Sequence, residues 1–181
     1  MKELVAVFDF GSQYSQLIAR RIREMGVYCE IVRHTISEDE LLQLDPIAIV
    51  LSGGPASVLE PDHPSMDREI LSLDIPILGI CYGMQLMAQM QGGVVKKGRS
   101  GEYGPASIEI TRSAGIFQDM ESPLHVWMSH GDHVTDVPEG FQVLASTRDC
   151  PIASMVDDGG KRYGIQFHPE VVHTPKGVEI I

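Results

Sequence analysis

Ile75-Pro-Ile-Leu-Gly-Ile-Cys-Tyr-Gly-Met-Gln-Leu-Met-Ala-Gln89 changes its hydrophobic period at Cys81. Ahead of that residue, Ile75 to Ile80 is an apolar run of the kind found in a parallel strand buried on both faces. Behind it, Tyr82 to Gln91 repeats at helical spacing, so Cys81 falls on the turn between strand and helix. Gly79 and Gly83 stand two residues either side, which is the G-x-S-x-G nucleophile elbow with cysteine in place of serine. Glycines there let the chain turn sharply and the helix pack close. The helix N-terminus that follows supplies backbone N–H groups able to hold an oxyanion. A single cysteine beside an apolar strand is more often an inert buried thiol, so the rest of the chain has to decide.

Working outward towards the N-terminus, Leu4 to Phe8 is a second unbroken apolar run, ending in Asp9-Phe10-Gly11-Ser12-Gln13. Tyr14, Leu17, Ile18, Ile22 and Met25 mark one face of a helix with Gly26 at its stop, and Val27 to Val32 reads as a strand. Ser37-Glu-Asp-Glu40 is a capping box opening a helix through Leu41, Leu42 and Leu44. Ile47 to Leu51 is the next strand, running into Ser52-Gly-Gly-Pro55, and a helix with Met66, Ile70 and Leu71 is expected before Ile75. These alternations predict an α/β fold: a flavodoxin-like, open, twisted, mostly parallel sheet with helices on both faces. After Gly92-Gly93 the period becomes two, at Ile108/Ile110, Leu124/Val126/Met128, Phe141/Val143/Ala145 and Tyr163/Ile165/Phe167. That predicts half-buried, largely antiparallel strands added in the C-terminal half.

No repeat or linker interrupts the 181 residues, so residues 1–181 are expected to form one domain. A formal charge of −11 argues against a partner that is a nucleic acid. Of the two basic clusters, Arg20-Arg21-Arg23 reads as a solvated helix face and Lys96-Lys97-Arg99 as a possible docking edge. Cys29, Cys81 and Cys150 are an odd number without C-x-x-C spacing, which fits a reducing compartment and gives no metal-ligand signature. Neither a secretory leader nor a membrane span is legible, so a cytoplasmic protein is expected.

At the other end, Tyr163-Gly-Ile-Gln-Phe-His-Pro-Glu170 puts His168 at a strand end, held extended by Pro169, with Glu170 two residues on. A histidine and a carboxylate are what a cysteine nucleophile needs as base and orienter. The Gly-Gly-Pro loop at Ser52–Pro55, the G-x-C-x-G-x-Q elbow and the terminal H-P-E together resemble the class I, or triad, glutamine amidotransferases. Phe10-Gly-Ser-Gln-Tyr14, Cys81-Tyr-Gly-Met-Gln85, Trp127-Met-Ser-His-Gly-Asp132 and His173-Thr174 are similar to marks of the glutaminase domains of GMP synthetases. Relatives serving other pathways usually carry Leu at the position of Tyr82.

The resemblance implies that Cys81, His168 and Glu170 are catalytic and that the backbone N–H groups of Gly54 and Tyr82 form the oxyanion hole. It further implies that Gly53, Gln85 and the strand-loop Ser129-His130-Gly131-Asp132 hold L-glutamine. The implied partner is an ATP pyrophosphatase synthetase domain or subunit, fused or separate, which would use ATP and Mg to aminate XMP. Within this chain there is no Walker A motif and no G-x-G-x-x-G, and Ala56 breaks the pyrophosphate-loop pattern SGG-x-DS, so no cofactor of its own is expected. His173-Thr174, the tail of the Asp9 loop, Lys96, Lys97 and Arg99 are expected to face the partner. The competing readings are a cysteine hydrolase of another specificity, an amidotransferase of another pathway, and a non-catalytic flavodoxin-like binding module.

Overall fold

Apolar alternation along the first strand sorts the whole molecule into two cores. In β1 (Leu4–Asp9), Val5 and Val7 join Ile18, Ala19 and Ile22 of α1 (Tyr14–Glu24) in one apolar cluster. Leu4, Ala6 and Phe8 point the other way, into a cluster with Leu41 of α2 (Glu38–Gln43) and with Met84 and Met87 of α3 (Tyr82–Met90). Burying a side chain such as the inaccessible Phe8 contributes about 1.5–3 kcal/mol, and both faces of the sheet are closed in this way. The computed structural model describes residues 3–11 and 13–181, with the side chain of Ser100 excepted, so Ser12 of the first loop lies outside the described residues.

Between these helices run β2 (Tyr28–Arg33), β3 (Ala48–Leu51) and β4 (Ile77–Ile80), followed after α3 by β5 (Val94–Ile110), β6 (Leu124–Asp136), β7 (Phe141–Ser146), β8 (Ser154–Asp157), β9 (Arg162–Ile165) and the short α4 (Gly177–Ile180). They form one sheet in the order β2-β1-β3-β4-β9-β8-β7-β5-β6. The first five positions are parallel, in flavodoxin-like order, and the remaining pairings are antiparallel. Helices cover both faces of the parallel half, as the sequence predicts.

Local signals hold where the reading rests on them. Ser37 caps α2 by accepting from Glu40 N at 3.3 Å while Glu40 Oε2 accepts from Ser37 N at 3.0 Å, and Gly26 follows α1 with φ +80°. Three expectations need correction. The helix around Met66 is a 3-10 turn, Arg68–Ser72, capped by Asp67, because Pro61 and Pro64 and the absence of a sustained helical period leave the crossover from Ser52 to Asp67 irregular. The strand carrying Tyr163 is not a half-buried antiparallel addition: β9 pairs parallel with β4 and is the fifth strand of the core. The alternation at Phe141/Val143/Ala145 is broken by a register shift between Val143 and Ala145.

The elbow glycines are fixed by backbone proximity. A Cβ on Gly83 would lie 2.3 Å from Leu51 O, and one on Gly79 would lie 2.8 Å from Gly83 C. Both contacts are with backbone, so α3 can seat against β3 and β4 only when these positions lack side chains. Gly83→Ala is expected to cost about 3 kcal/mol or more through overpacking, lowering the melting temperature by about 6–12 °C. A calorimetric scan of the variant checks this; an unchanged midpoint would contradict the close-approach account.

Candidate active site

Three elements converge at the carboxyl ends of the parallel strands. β4 delivers Cys81, whose N–H bonds Ile165 O at 2.8 Å and whose backbone is held at φ +50°, ψ −104°. That conformation costs an L-residue on the order of 1–3 kcal/mol and lifts the side chain out of the strand-to-helix turn. The first bond of α3 runs from Gln85 N to Cys81 O, so the N–H groups just after Cys81 have no partner within the helix.

β9 delivers the second group. Beyond its end, His168 N donates to Trp127 O at 2.9 Å, and His168 Nδ1 lies 2.7 Å from Glu170 Oε1. Both side chains are buried, and Glu170 Oε2 has no hydrogen-bond partner among the described residues. Burial alone pulls the His168 imidazole down, but hydrogen bonding to Cys81 and Glu170, with the negative charge of the thiolate and of the carboxylate, outweighs it and lifts the group to about 10. Since Nδ1 is taken by Glu170, Nε2 is the nitrogen left for the sulfur. Tyr14 of α1 stacks on the imidazole with ring centroids 4.5 Å apart.

The third contribution comes from the Ser52–Asp67 crossover and β6. Together they enclose a cleft of about 620 Å³ lined by Cys81, His168, Gly54, Tyr82 and Gln85, and by Ser129 to Asp132. Gly54 is wedged between Phe10 and Tyr82: an added Cβ would be 3.0 Å from Phe10 O and 3.5 Å from Tyr82 Cγ. Tyr82 hydroxyl donates to Pro64 O and Ser57 hydroxyl to Asp132, so both ends of the crossover are tied to the cleft.

Of the residues singled out from sequence, Cys81, His168, Glu170, Gly54, Tyr82, Gln85, Ser129, His130, Gly131 and Asp132 all meet here. Gly53 lies behind the others, where an added Cβ would be 3.1 Å from His168 Cε1, so it packs the imidazole rather than lining the cleft. Ser129 to Asp132 belong to β6 rather than to a loop, and both ring nitrogens of His130 are engaged, by Asp132 O and Glu102. Thr174 is buried and joins two segments, accepting from Trp127 N at 3.0 Å and donating to His168 O at 2.7 Å, so it does not face outward as expected. Arg21, expected on a solvated face, donates to Glu170 O at 2.9 Å.

Gln166 escapes a reading of the sequence. Its side chain is inaccessible; Nε2 donates to Cys81 Sγ at 3.4 Å while Oε1 accepts from Gln85 Nε2 at 3.2 Å. Gln85 Nε2 also donates to Asp132 O at 2.8 Å, which makes one polar relay from β6 to the thiol. The available signal is a polar residue inside an otherwise apolar strand end. Helical periodicity places Tyr14 only on a helix face, whereas its stacking on His168 brings α1 into the site.

The chain belongs to the class-I glutamine amidotransferase family, whose family model matches residues 6–181. Among curated proteins it is 54% identical to a GMP synthase [glutamine-hydrolyzing] of Natranaerobius thermophilus, covering 99% of this chain and 35% of that protein. It is 51% identical to the protein of the same name from Acetivibrio thermocellus, with the same coverage of each. The chain thus spans about a third of the length of these relatives. The crystal structure of a Thermoplasma acidophilum protein, described as a candidate GMP synthase subunit, superposes with a TM-score of 0.87 at 31% identity, covering 99% of this chain and 90% of that one.

Proposed function

We propose that this chain is the glutaminase part of a GMP synthetase, hydrolysing L-glutamine through Cys81 and passing ammonia to an ATP-using synthetase domain or subunit that aminates XMP. The observation that carries the reading is the Cys81–His168–Glu170 array at the bottom of a cleft of small-ligand size, on a chain of this family. The thiol proton rests on His168 Nε2, as the raised affinity of the imidazole for a proton favours, and the Cys81 sulfur attacks the side-chain amide carbon of glutamine. The oxyanion is held by the N–H groups of Gly54 and Tyr82, each worth ~2.7–4 kcal/mol in the transition state. His168 returns its proton to the departing nitrogen, ammonia leaves, and a thioester to Cys81 remains. Water, deprotonated by His168, then attacks the thioester carbon and releases glutamate. Glu170 fixes the imidazole and balances its charge.

Gln85 and Ser129–Asp132 shape the part of the cleft that holds the amino and carboxylate ends of glutamine. ATP and Mg belong to the partner. Residues 1–181 act as one domain, and the three free, buried cysteines fit the cytoplasm. Among the described residues no helix is long and apolar enough to cross a membrane.

The test is ammonia release from L-glutamine, with and without an ATP pyrophosphatase partner plus ATP and XMP. Turnover that rises with partner and nucleotide, together with labelling of Cys81 by a glutamine-like electrophile, supports the reading. Absence of both overturns it and leaves a binding module or a cysteine hydrolase of another specificity. Gln166→Met keeps the volume but removes the donor to sulfur, and is expected to lower kcat by about 10- to 100-fold with KM changed less than about threefold. Steady-state kinetics check this; an unchanged kcat would remove Gln166 from the site.

A further inference from the structure

Along the β5–β6 wall of the cleft, three metal-ligating side chains meet. Glu102 of β5, His130 of β6 and Cys150 from the β7–β8 connection bring one ligand atom each to within 4.8 Å of one another. His130 is 6% exposed and Cys150 is inaccessible, so this is not a scatter of surface groups. Strand pairing sets the first two directly opposite each other.

The hydrogen bonds of His130 leave an imbalance. Its Nδ1 is 3.0 Å from the Asp132 carbonyl, which can only accept, so Nδ1 carries the proton. The neutral ring then turns the lone pair of Nε2 towards Glu102 Oε2, 3.0 Å away. Two acceptors at that distance require a positive centre between them. A shared proton would serve and so would a metal ion, and the Cys150 ligand atom within 4.8 Å of both groups favours the ion. A metal ion meets the requirement with the ring neutral. An imidazole whose other N–H is held by a backbone carbonyl is also the usual arrangement of a metal-bound histidine. Thr147 Oγ1 steadies the remaining carboxylate oxygen, donating to Glu102 Oε1 at 2.8 Å.

We propose that Glu102, His130 and Cys150 bind a divalent transition-metal ion of the zinc class. One thiolate, one imidazole and one carboxylate select such an ion over magnesium or calcium, and three protein ligands leave a fourth position for water. In the metal-free protein the Cys150 thiol donates to Ile152 O at 3.4 Å, and the sulfur–metal bond forms as that proton leaves to solvent. The ion joins β5, β6 and the β7–β8 connection at the segment that carries Ser129–Asp132, and so braces one wall of the cleft through His130 without using Cys81.

Cobalt(II) titration of the full chain carrying Cys81→Ala tests this with the competing active-site thiol removed. The expected result is one ion bound per chain, with a thiolate-to-cobalt charge-transfer band that zinc displaces. Adding Cys150→Ser abolishes the band, although Cys29 remains. Thr147→Val, which removes only the outer support, weakens binding by about 10- to 100-fold. X-ray absorption of the zinc-loaded chain needs no ligand substitution and is expected to contain one sulfur at about 2.3 Å and nitrogen or oxygen at about 2.0–2.1 Å. No charge-transfer band in the Cys81→Ala protein, a band that survives Cys150→Ser, or a shell of nitrogen and oxygen alone would overturn the proposal and leave a shared proton between His130 and Glu102.

Discussion

Replacing Cys81 with alanine is expected to reduce glutamine hydrolysis by about 10⁶-fold, to the level of the buffer. Neither side chain set against the sulfur replaces it: His168 Nδ1 is committed to Glu170, and the Gln166 side chain is a donor to the thiol, not a nucleophile. Glutamine should still bind, because Gln85 keeps its bond to Asp132 O and β6 stays held by its pairing with β5 when the thiol's long bond to Ser129 O, 3.7 Å, is lost. Isothermal titration is expected to give an affinity within a few-fold of the parent, while ammonia release vanishes. Residual turnover above about 10⁻³ of the parent would move the nucleophile elsewhere. A companion variant, Cys81→Gly, isolates the backbone. Since φ +50°, ψ −104° is strained for any residue with a Cβ, glycine there should raise stability by about 1 kcal/mol, or a melting-point rise of about 2–4 °C. Alanine should give no such gain.

Glu170→Gln is expected to lower kcat by about 10²- to 10⁴-fold, with a smaller change in glutamine affinity. The amide keeps the shape but not the charge, so one of the groups holding the imidazolium is lost while the burial that opposes it remains. The sign follows from the shift. His168 is lifted from its ordinary 6.5 to about 10, so its contribution to stability is fully present below about pH 6.5 and is lost as pH rises through about 10. In the variant the folded value falls, and the loss is complete at lower pH. Denaturant unfolding from about pH 6 to about pH 10.5 should therefore give a steeper decline for the parent than for Glu170→Gln. Carbon-13 labelling of histidine reads the same displacement directly. Equal titration midpoints in the two proteins would mean that Glu170 does not govern His168.

The two variants probe parts of the site that are unequally legible in the sequence. Cys81 and its glycines announce themselves within one short stretch, because a period change and paired glycines are local properties of the chain. His168, Pro169 and Glu170 are likewise contiguous, and their mutual geometry follows from an extended residue before proline. Gln166 is equally close to His168 in sequence, yet its partner Cys81 lies 85 residues away, and no local pattern specifies that contact. Thr174 defeats a local reading for the same reason: a short polar side chain after a turn looks exposed until Trp127 and His168 are seen on either side of it.

By itself the sequence determined most of the elements and the sides they bury, the crossover before β4 and the full reach of β6 excepted. Periods of two and 3.6, the capping box at Ser37 and the stops at Gly26 and Gly92 act over a few residues, whatever lies across the molecule. Only the tertiary structure decided which strands are neighbours. β9 follows four antiparallel strands in the chain but inserts between β4 and β8, where Arg162, Gly164 and Ile165 are all buried and the strand is covered on both faces. That insertion carries His168 to Cys81. The pairing of β5 with β6, across a register shift between Lys97 and Glu102, carries Glu102 to His130. Contacts of this kind depend on register and sheet order, which minimise the exposure of the whole apolar surface at once and so cannot be read from any one stretch.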